Sequence, residues 1–145
     1  MGRAAVASGS DGGSSKFHES AVFDVREKPI EAAAEVVDLV SLPPVPCPCG
    51  VARRAFADRD EFPGTVHLTT ISEDAAYHYH KEHTEVYVVL NCGSEAAIEL
   101  DGTRYPVKPH CSVLIPPGVR HRACGEMTVL ILCTPNFDPA DEHFD

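Results

Sequence analysis

The residues able to do chemistry are concentrated in one run, His78-Tyr79-His80-Lys81-Glu82-His83-Thr84-Glu85. Residues two apart on a β-strand point to the same face, so His78 and His80 present two imidazoles side by side. On one continuous strand Glu85 would face the other way. A turn over Lys81–Thr84 instead brings Glu85 opposite His80 on a paired strand, with Cβ atoms about 4.5–5.5 Å apart. Two imidazoles and a carboxylate converging inside a barrel suit a borderline divalent ion. Further along, Pro116-Pro117-Gly118-Val119-Arg120-His121 reads as a tight turn that starts a new strand led by His121, a third imidazole. Three nitrogens and one carboxylate oxygen would leave positions open on an octahedral ion for water or substrate.

Elements that position these side chains are visible from Val51 onward, where short β-like runs alternate with turns. The runs are Val51–Ala57, Thr65–Ser72, Ala75–His80, Glu85–Asn91, Ala96–Leu100, Arg104–Val107, Ser112–Ile115, Arg120–Cys124 and Thr128–Cys133. Asp101-Gly102 between two of them is a strong two-residue hairpin signal. Many short strands at near-regular spacing predict an all-β, antiparallel sandwich or barrel over residues 51–135. Ahead of it, residues 1–15 read as a flexible tail and residues 16–50 as an extension. Within that extension Pro29 opens a predicted helix reaching Val40, with Ile30, Ala33, Ala34, Val37 and Val40 on one face. The proline-rich run after Val40 stops it. Residues 136–145 read as an acidic, solvated tail.

The pattern H-x-H-x4-E, with P-x-G-x2-H about thirty residues later, resembles the two signature motifs of the cupin superfamily. The resemblance spans roughly Thr65 to Pro135 and is closest to small single-domain cupins of the bacterial type. It implies an antiparallel jelly-roll barrel with a metal at its centre, held by His78, His80, Glu85 and His121. Three turn positions depart from the pattern. Cys92 stands where the first motif closes on Gly, His110 where the second opens on Gly, and Gly125 where the second often ends on Asn. None of the three is a ligand position.

Other residues read more plainly. Tyr87 shares the inward parity of Glu85, as pocket wall or core filling, and is a candidate proton donor. So is His67, although a surface strand position suits it better. His83 and Glu82 fall in the expected turn and read as exposed, with His83 as a substitute ligand the weaker alternative, and His110 reads as a turn cap. Arg104, Arg120 and Arg122 read as surface charges; for a carboxylate substrate, an inward Arg is the feature to seek. Cys47-Pro48-Cys49 lacks the spacing of a zinc knuckle and reads as a loop of reduced thiols.

The 145 residues suit one domain, and at 43% hydrophobic and 23% charged they can form a folded core. Twelve Lys and Arg against 22 Asp and Glu give a net charge of −10, which disfavours nucleic acid and anionic membranes. No apolar run of about 18 residues offers a membrane span. The first residues lack the apolar stretch of a secretory signal, so a cytoplasmic protein with reduced thiols is expected. Val86, Val88 and Leu90 make an apolar outward face on the strand that carries Glu85, for which the helix or a second subunit of a homodimer is the expected cover. The expected function is a small-molecule metalloenzyme using a divalent transition metal (iron, manganese, nickel, copper or zinc), with oxygenase-type chemistry placed first. The alternatives are a metal-dependent isomerase or lyase, and a non-catalytic cupin that binds a sugar or organic acid.

Overall fold

A computed structural model describes residues 34–145. Nine strands form: β1 (Val45–Cys47), β2 (Gly50–Ala55), β3 (Thr65–Ile71), β4 (Thr84–Cys92), β5 (Ala97–Leu100), β6 (Thr103–Pro106), β7 (Ser112–Ile115), β8 (His121–Cys124) and β9 (Met127–Thr134). A six-stranded sheet runs β1-β2-β3-β9-β4-β7 and a three-stranded sheet runs β6-β5-β8, every pairing antiparallel. The all-β antiparallel architecture is as expected. Strands β2 to β9 match eight of the expected runs. The ninth, Ala75–His80, forms only isolated bridges, at His78 to His121 and Tyr79 to His143.

Alternation along the strands builds the interior, because successive side chains take opposite faces. On β9 Met127, Val129, Ile131 and Cys133 are buried, and the residues between them are partly exposed. Cross-strand register aligns these with neighbours in rows: Thr65, Cys133, Glu85 and Ile115 in one, and His67, Ile131, Tyr87 and Val113 in the next. Glu85 and Tyr87 therefore project into the same enclosed space as the apolar core of Ile71, Val89, Ile98, Ile115, Val129 and Ile131. The reverse face of the same sheet carries Val66, Val86, Val88, Leu114, Leu130 and Leu132, none of them fully buried.

Turn chemistry closes the barrel. Asp101 and Gly102 both adopt positive φ, 47° and 80°, as a two-residue hairpin of this twist requires. His110, which replaces a customary glycine, holds the left-handed conformation itself at φ 76° and donates its N–H to Val89 O at 2.8 Å. The turn is thus kept at a strain cost of about 1–2 kcal/mol.

Two expectations fail. Residues 29–33 of the predicted helix lie outside the described residues, as do the tail and the first part of the extension. Ala34 to Asp38 has no regular structure, and only a 3₁₀ turn, Leu39–Ser41, forms, with the Asp38 carboxylate accepting from Val40 N at 3.1 Å. Of the expected apolar stripe, Val40 is 68% exposed and Val37 only partly buried, so its described part finds little to pack on. A helix this short is marginal without such packing, and the Pro43-Pro44 pair favours extended backbone immediately after the turn. The acidic end is not a solvated tail throughout. Pro139–Asp141 forms a 3₁₀ turn, Asp141 is buried, and Tyr79 and His143 exchange two backbone hydrogen bonds of 3.0 Å.

Candidate metal centre

Both halves of the centre are assembled by backbone hydrogen bonds. His78 N donates to His121 O at 3.1 Å and His121 N to His78 O at 2.8 Å, which seats the first motif beside the start of β8. Gly118 N donates to His80 O at 2.7 Å, so the Pro116–Gly118 turn docks directly on the second histidine. Glu85 arrives from the other sheet. The expected strand pairing of His80 with Glu85 is not formed, because β4 pairs with β7 and β9. The two side chains meet across the barrel interior instead, with His80 Nε2 at 3.4 Å from Glu85 Oε2.

Four buried donors converge: one atom each from His78, His80, Glu85 and His121, all within 4.8 Å of one another. His121 Nε2 lies 3.1 Å from Glu85 Oε2. Each imidazole is oriented from behind, its Nδ1 on a backbone carbonyl oxygen: His78 on Ala76 O at 2.9 Å, His80 on Asp141 O at 2.8 Å, and His121 on Val119 O at 2.9 Å. A carbonyl only accepts, so each Nδ1 carries a proton and each Nε2 faces the centre, where it offers its lone pair to an ion once unprotonated. Histidines that ligate metals are held in this way.

Charge in the site is set by burial and by these contacts. Burial, assisted by His121, pushes His78 down to about 4, keeping it neutral. Burial opposes charge on His80 as well, but the Glu85 carboxylate outweighs it and the pKa rises. Glu85 is opposed by burial too, yet the His121 and His80 imidazoles beside it hold it well below the usual carboxylate range. An ionised carboxylate among three imidazoles is a donor set for a divalent cation. His80 Nε2 is buried without a hydrogen-bond partner, which a coordinated ion would supply. The residues fit a metal.

The remaining sequence candidates fall around this centre. Tyr87 is 2% exposed, its ring centroid 6.0 Å from that of His121, and burial raises its pKa. His67 is not on the surface: at 3% exposure it faces inward from β3 against the edge of Phe137. Burial lowers its pKa to about 4. His83 is also buried rather than an exposed loop residue. Its Nδ1 is 2.9 Å from Asp141 Oδ2, and its Nε2 is 3.2 Å from both Asn136 O and Asp138 N. Arg120 pairs with Asp145 and Arg122 with Glu99, while Arg104 is exposed. Cys47 lies on β1 with its Sγ 2.7 Å from Cys49 Sγ, and both thiols are free.

Sequence reasoning missed Asp141 and Arg54. Asp141 accepts from the backbone N–H groups of Lys81, Glu82 and His83 at 2.9, 2.9 and 3.0 Å, fixing the turn between His80 and Glu85. Nothing in the spacing signals a partner about sixty residues away. Arg54 sits on β2 in register with His67, and its guanidinium lies 4.2 Å from the Phe137 ring centroid.

The family model for the cupin domain matches residues 65–134, a span that contains all four converging residues. A solved protein from Planctomyces limnophilus is 45% identical over 78% of this chain and 98% of its own, with a TM-score of 0.75. This chain belongs to the cupin family. The cupin also shares its fold with more distant structures. The nucleoside dehydratase Pac13 of Streptomyces is 14% identical, over 77% of this chain and 90% of its own, with a TM-score of 0.65. The ectoine synthase of P. lautus is 17% identical, over 76% and 88%, with a TM-score of 0.64. No curated protein matches the chain. Among the described residues no helix is long and apolar enough to cross a membrane.

Proposed function

We propose that this cupin is a metal-dependent enzyme acting on a small molecule. The observation that carries the reading is the set of three imidazoles, each turned inward by an Nδ1–carbonyl hydrogen bond, around the ionised Glu85. His78, His80, Glu85 and His121 would hold a divalent transition metal: iron, manganese, nickel, copper or zinc. When bound, such an ion supplies open positions for dioxygen and substrate, or Lewis-acid polarisation of a carbonyl or hydroxyl. These four buried side chains would hold the ion away from bulk solvent and fix the donor geometry. Tyr87, two residues from Glu85 on the same inward face, and His67 in the same row as Tyr87 are the side chains offered as proton carriers.

Oxygenase-type chemistry is the first reaction class, on the nitrogen-rich donor set. The second is metal-assisted elimination or isomerisation. It is favoured by the presence of a buried phenol and a buried imidazole in the barrel, since acid–base partners are what that chemistry needs. The dehydratase activity of Pac13 on the same fold is compatible with it.

A homodimer forms part of this proposal, through the apolar reverse face of the six-stranded sheet. Sedimentation showing a monomer at micromolar concentration would remove it. Elemental analysis of protein purified without chelator tests the main reading. About one equivalent of a transition metal is expected, and the metal's identity then directs aerobic or anaerobic substrate screening. Absence of metal, with none taken up on titration, overturns it.

A further inference from the structure

We infer that Arg54, His67 and Thr69 form a subsite for an oxyanion, a carboxylate or phosphate group, on the substrate. The inference rests on the reading of the barrel interior as a reaction chamber and names the class of molecule it takes. Arg54 and His67 are direct cross-strand partners on β2 and β3, and Thr69 lies two residues on from His67, in register with Ala52 on the same inward face. Cross-strand partners have Cβ atoms about 4.5–5.5 Å apart, close enough for two side chains to hold one group.

Three polar atoms here lack hydrogen-bond partners although they are buried: Arg54 Nε, His67 Nε2 and Thr69 Oγ1. His67 is 3% exposed and Thr69 fully buried. A buried polar group without a partner costs stability, so three of them on one inward face mark a place where a ligand supplies the partners. All three can donate, and an oxyanion only accepts. Arg54 enters no ion pair among the described residues, and its positive charge selects an anion over a neutral acceptor. The carboxylate of half-buried Glu142 also feels Arg54, and it forms no contact of ion-pair length with it.

The distance to the metal centre is right for a small molecule. His67 and Tyr87 share one row, with only Ile131 of β9 between them. Two strand spacings separate their backbones by about 10 Å. From the other side, Phe137 touches both Arg54 and His67 and stacks on His83, whose ring is 5.3 Å from that of His80. A molecule of a few carbons would reach from the subsite to the ligands.

The test is calorimetric titration of inorganic phosphate and of malonate, with malonamide as the uncharged control. It is run on metal-free and metal-loaded full-length protein, on Arg54→Met and on Thr69→Val. Wild type should bind the anions and not malonamide. Arg54→Met should weaken anion binding roughly 10- to 100-fold, the worth of a charged hydrogen-bonding group, with metal content unchanged. Thr69→Val, close to isosteric, should weaken it severalfold and serves if Arg54→Met does not fold. A preference for malonate or for phosphate identifies which oxyanion the subsite takes. Equal anion affinity in wild type and both variants, or no anion binding by wild type, overturns the proposal. If no metal binds and Arg54-dependent phosphate binding persists, the subsite stands and the metal reading fails.

Discussion

Replacing Asp141 by Ala tests whether the C-terminal segment is part of the candidate metal centre. The Asp141 carboxylate accepts three backbone hydrogen bonds, from Lys81, Glu82 and His83, and its main-chain oxygen accepts from His80 Nδ1. Hydrogen bonds to a charged acceptor contribute about 1.5–3 kcal/mol each, so simple addition for three gives roughly 5–9 kcal/mol. That is an upper bound. Lys81 and Glu82 are exposed, and water can satisfy their N–H groups once the carboxylate is gone. Only His83, 2% exposed, is left with a dry donor. The expected loss is therefore about 2–4 kcal/mol, read as a lower urea midpoint of the metal-free protein. The second readout is metal affinity. The turn carries His80 on one side and leads to Glu85 on the other, and loss of a partner that orients a ligand typically costs 10- to 100-fold in affinity. A competition titration with a chromophoric chelator measures this. The same carboxylate is held well below its ordinary pKa by those N–H groups, against the opposing effect of burial. Its contribution is thus complete above the unfolded carboxylate pKa and lost as pH falls below it. A variant within about 0.5 kcal/mol of wild type that binds metal equally would make the segment a passive tail and refute the reasoning.

Three further outcomes are expected from the same geometry. His80→Ala should lose the metal yet keep its β-sheet circular dichroism, because the apolar core of Ile71, Val89 and Ile131 does not depend on it; unfolding of the variant would make the metal a structural staple. His67 titrates at about 4 when folded, chiefly because it is buried, against 6.5 when free. Between those values the unfolded chain binds the extra proton, so this contribution is full above 6.5 and declines as pH drops towards 4, by about 3 kcal/mol. His67→Gln should flatten that part of the urea-midpoint profile of metal-free protein, and an unchanged slope would show His67 to be hydrated. The Cys47 thiol is brought down to about 7 by its hydrogen bond with Cys49, while burial pushes Cys133 up to about 12. Iodoacetamide should therefore label Cys47 first, with a midpoint near pH 7, and Cys49→Ala should move that midpoint up towards about 8.5. Labelling of Cys133 ahead of Cys47 would contradict the arrangement.

The part of the structure readable in the sequence was the part encoded locally. Strands β2 to β9 emerged from alternation and from turn residues such as Asp101-Gly102, which act over a few positions. The four converging residues were legible for a related reason. H-x-H sets two side chains on one face without reference to the rest of the chain, and the Pro-Gly turn before His121 announces its own strand. The route by which Glu85 joins them was not legible. The spacing suggested a local hairpin, whereas the structure brings Glu85 from the opposite sheet through the β4–β9 and β4–β7 pairings. Local spacing picked out the residues that converge, with the wrong connection between them.

The missed residues share one property: each acts through a contact distant in sequence. Asp141 is acidic within an acidic segment, and composition alone argues for solvation there. What draws it in is the need of the Lys81–His83 N–H groups for an acceptor, a need created by the sharp turn between His80 and Glu85. The segment is also anchored by the His143–Tyr79 pair, so the position of Asp141 does not rest on its own hydrogen bonds alone. His67 and Arg54 were hidden in a different way. Each belongs to a strand whose polar and apolar residues suggest an outer face, and only the register with Ile131 and Tyr87 reveals that the polar side is the inner one. Inward polar side chains sacrifice apolar packing and, when unpaired, cost stability as well. Strands that give up core in this way beside a constellation of metal-ligand type are better explained by a bound molecule than by folding.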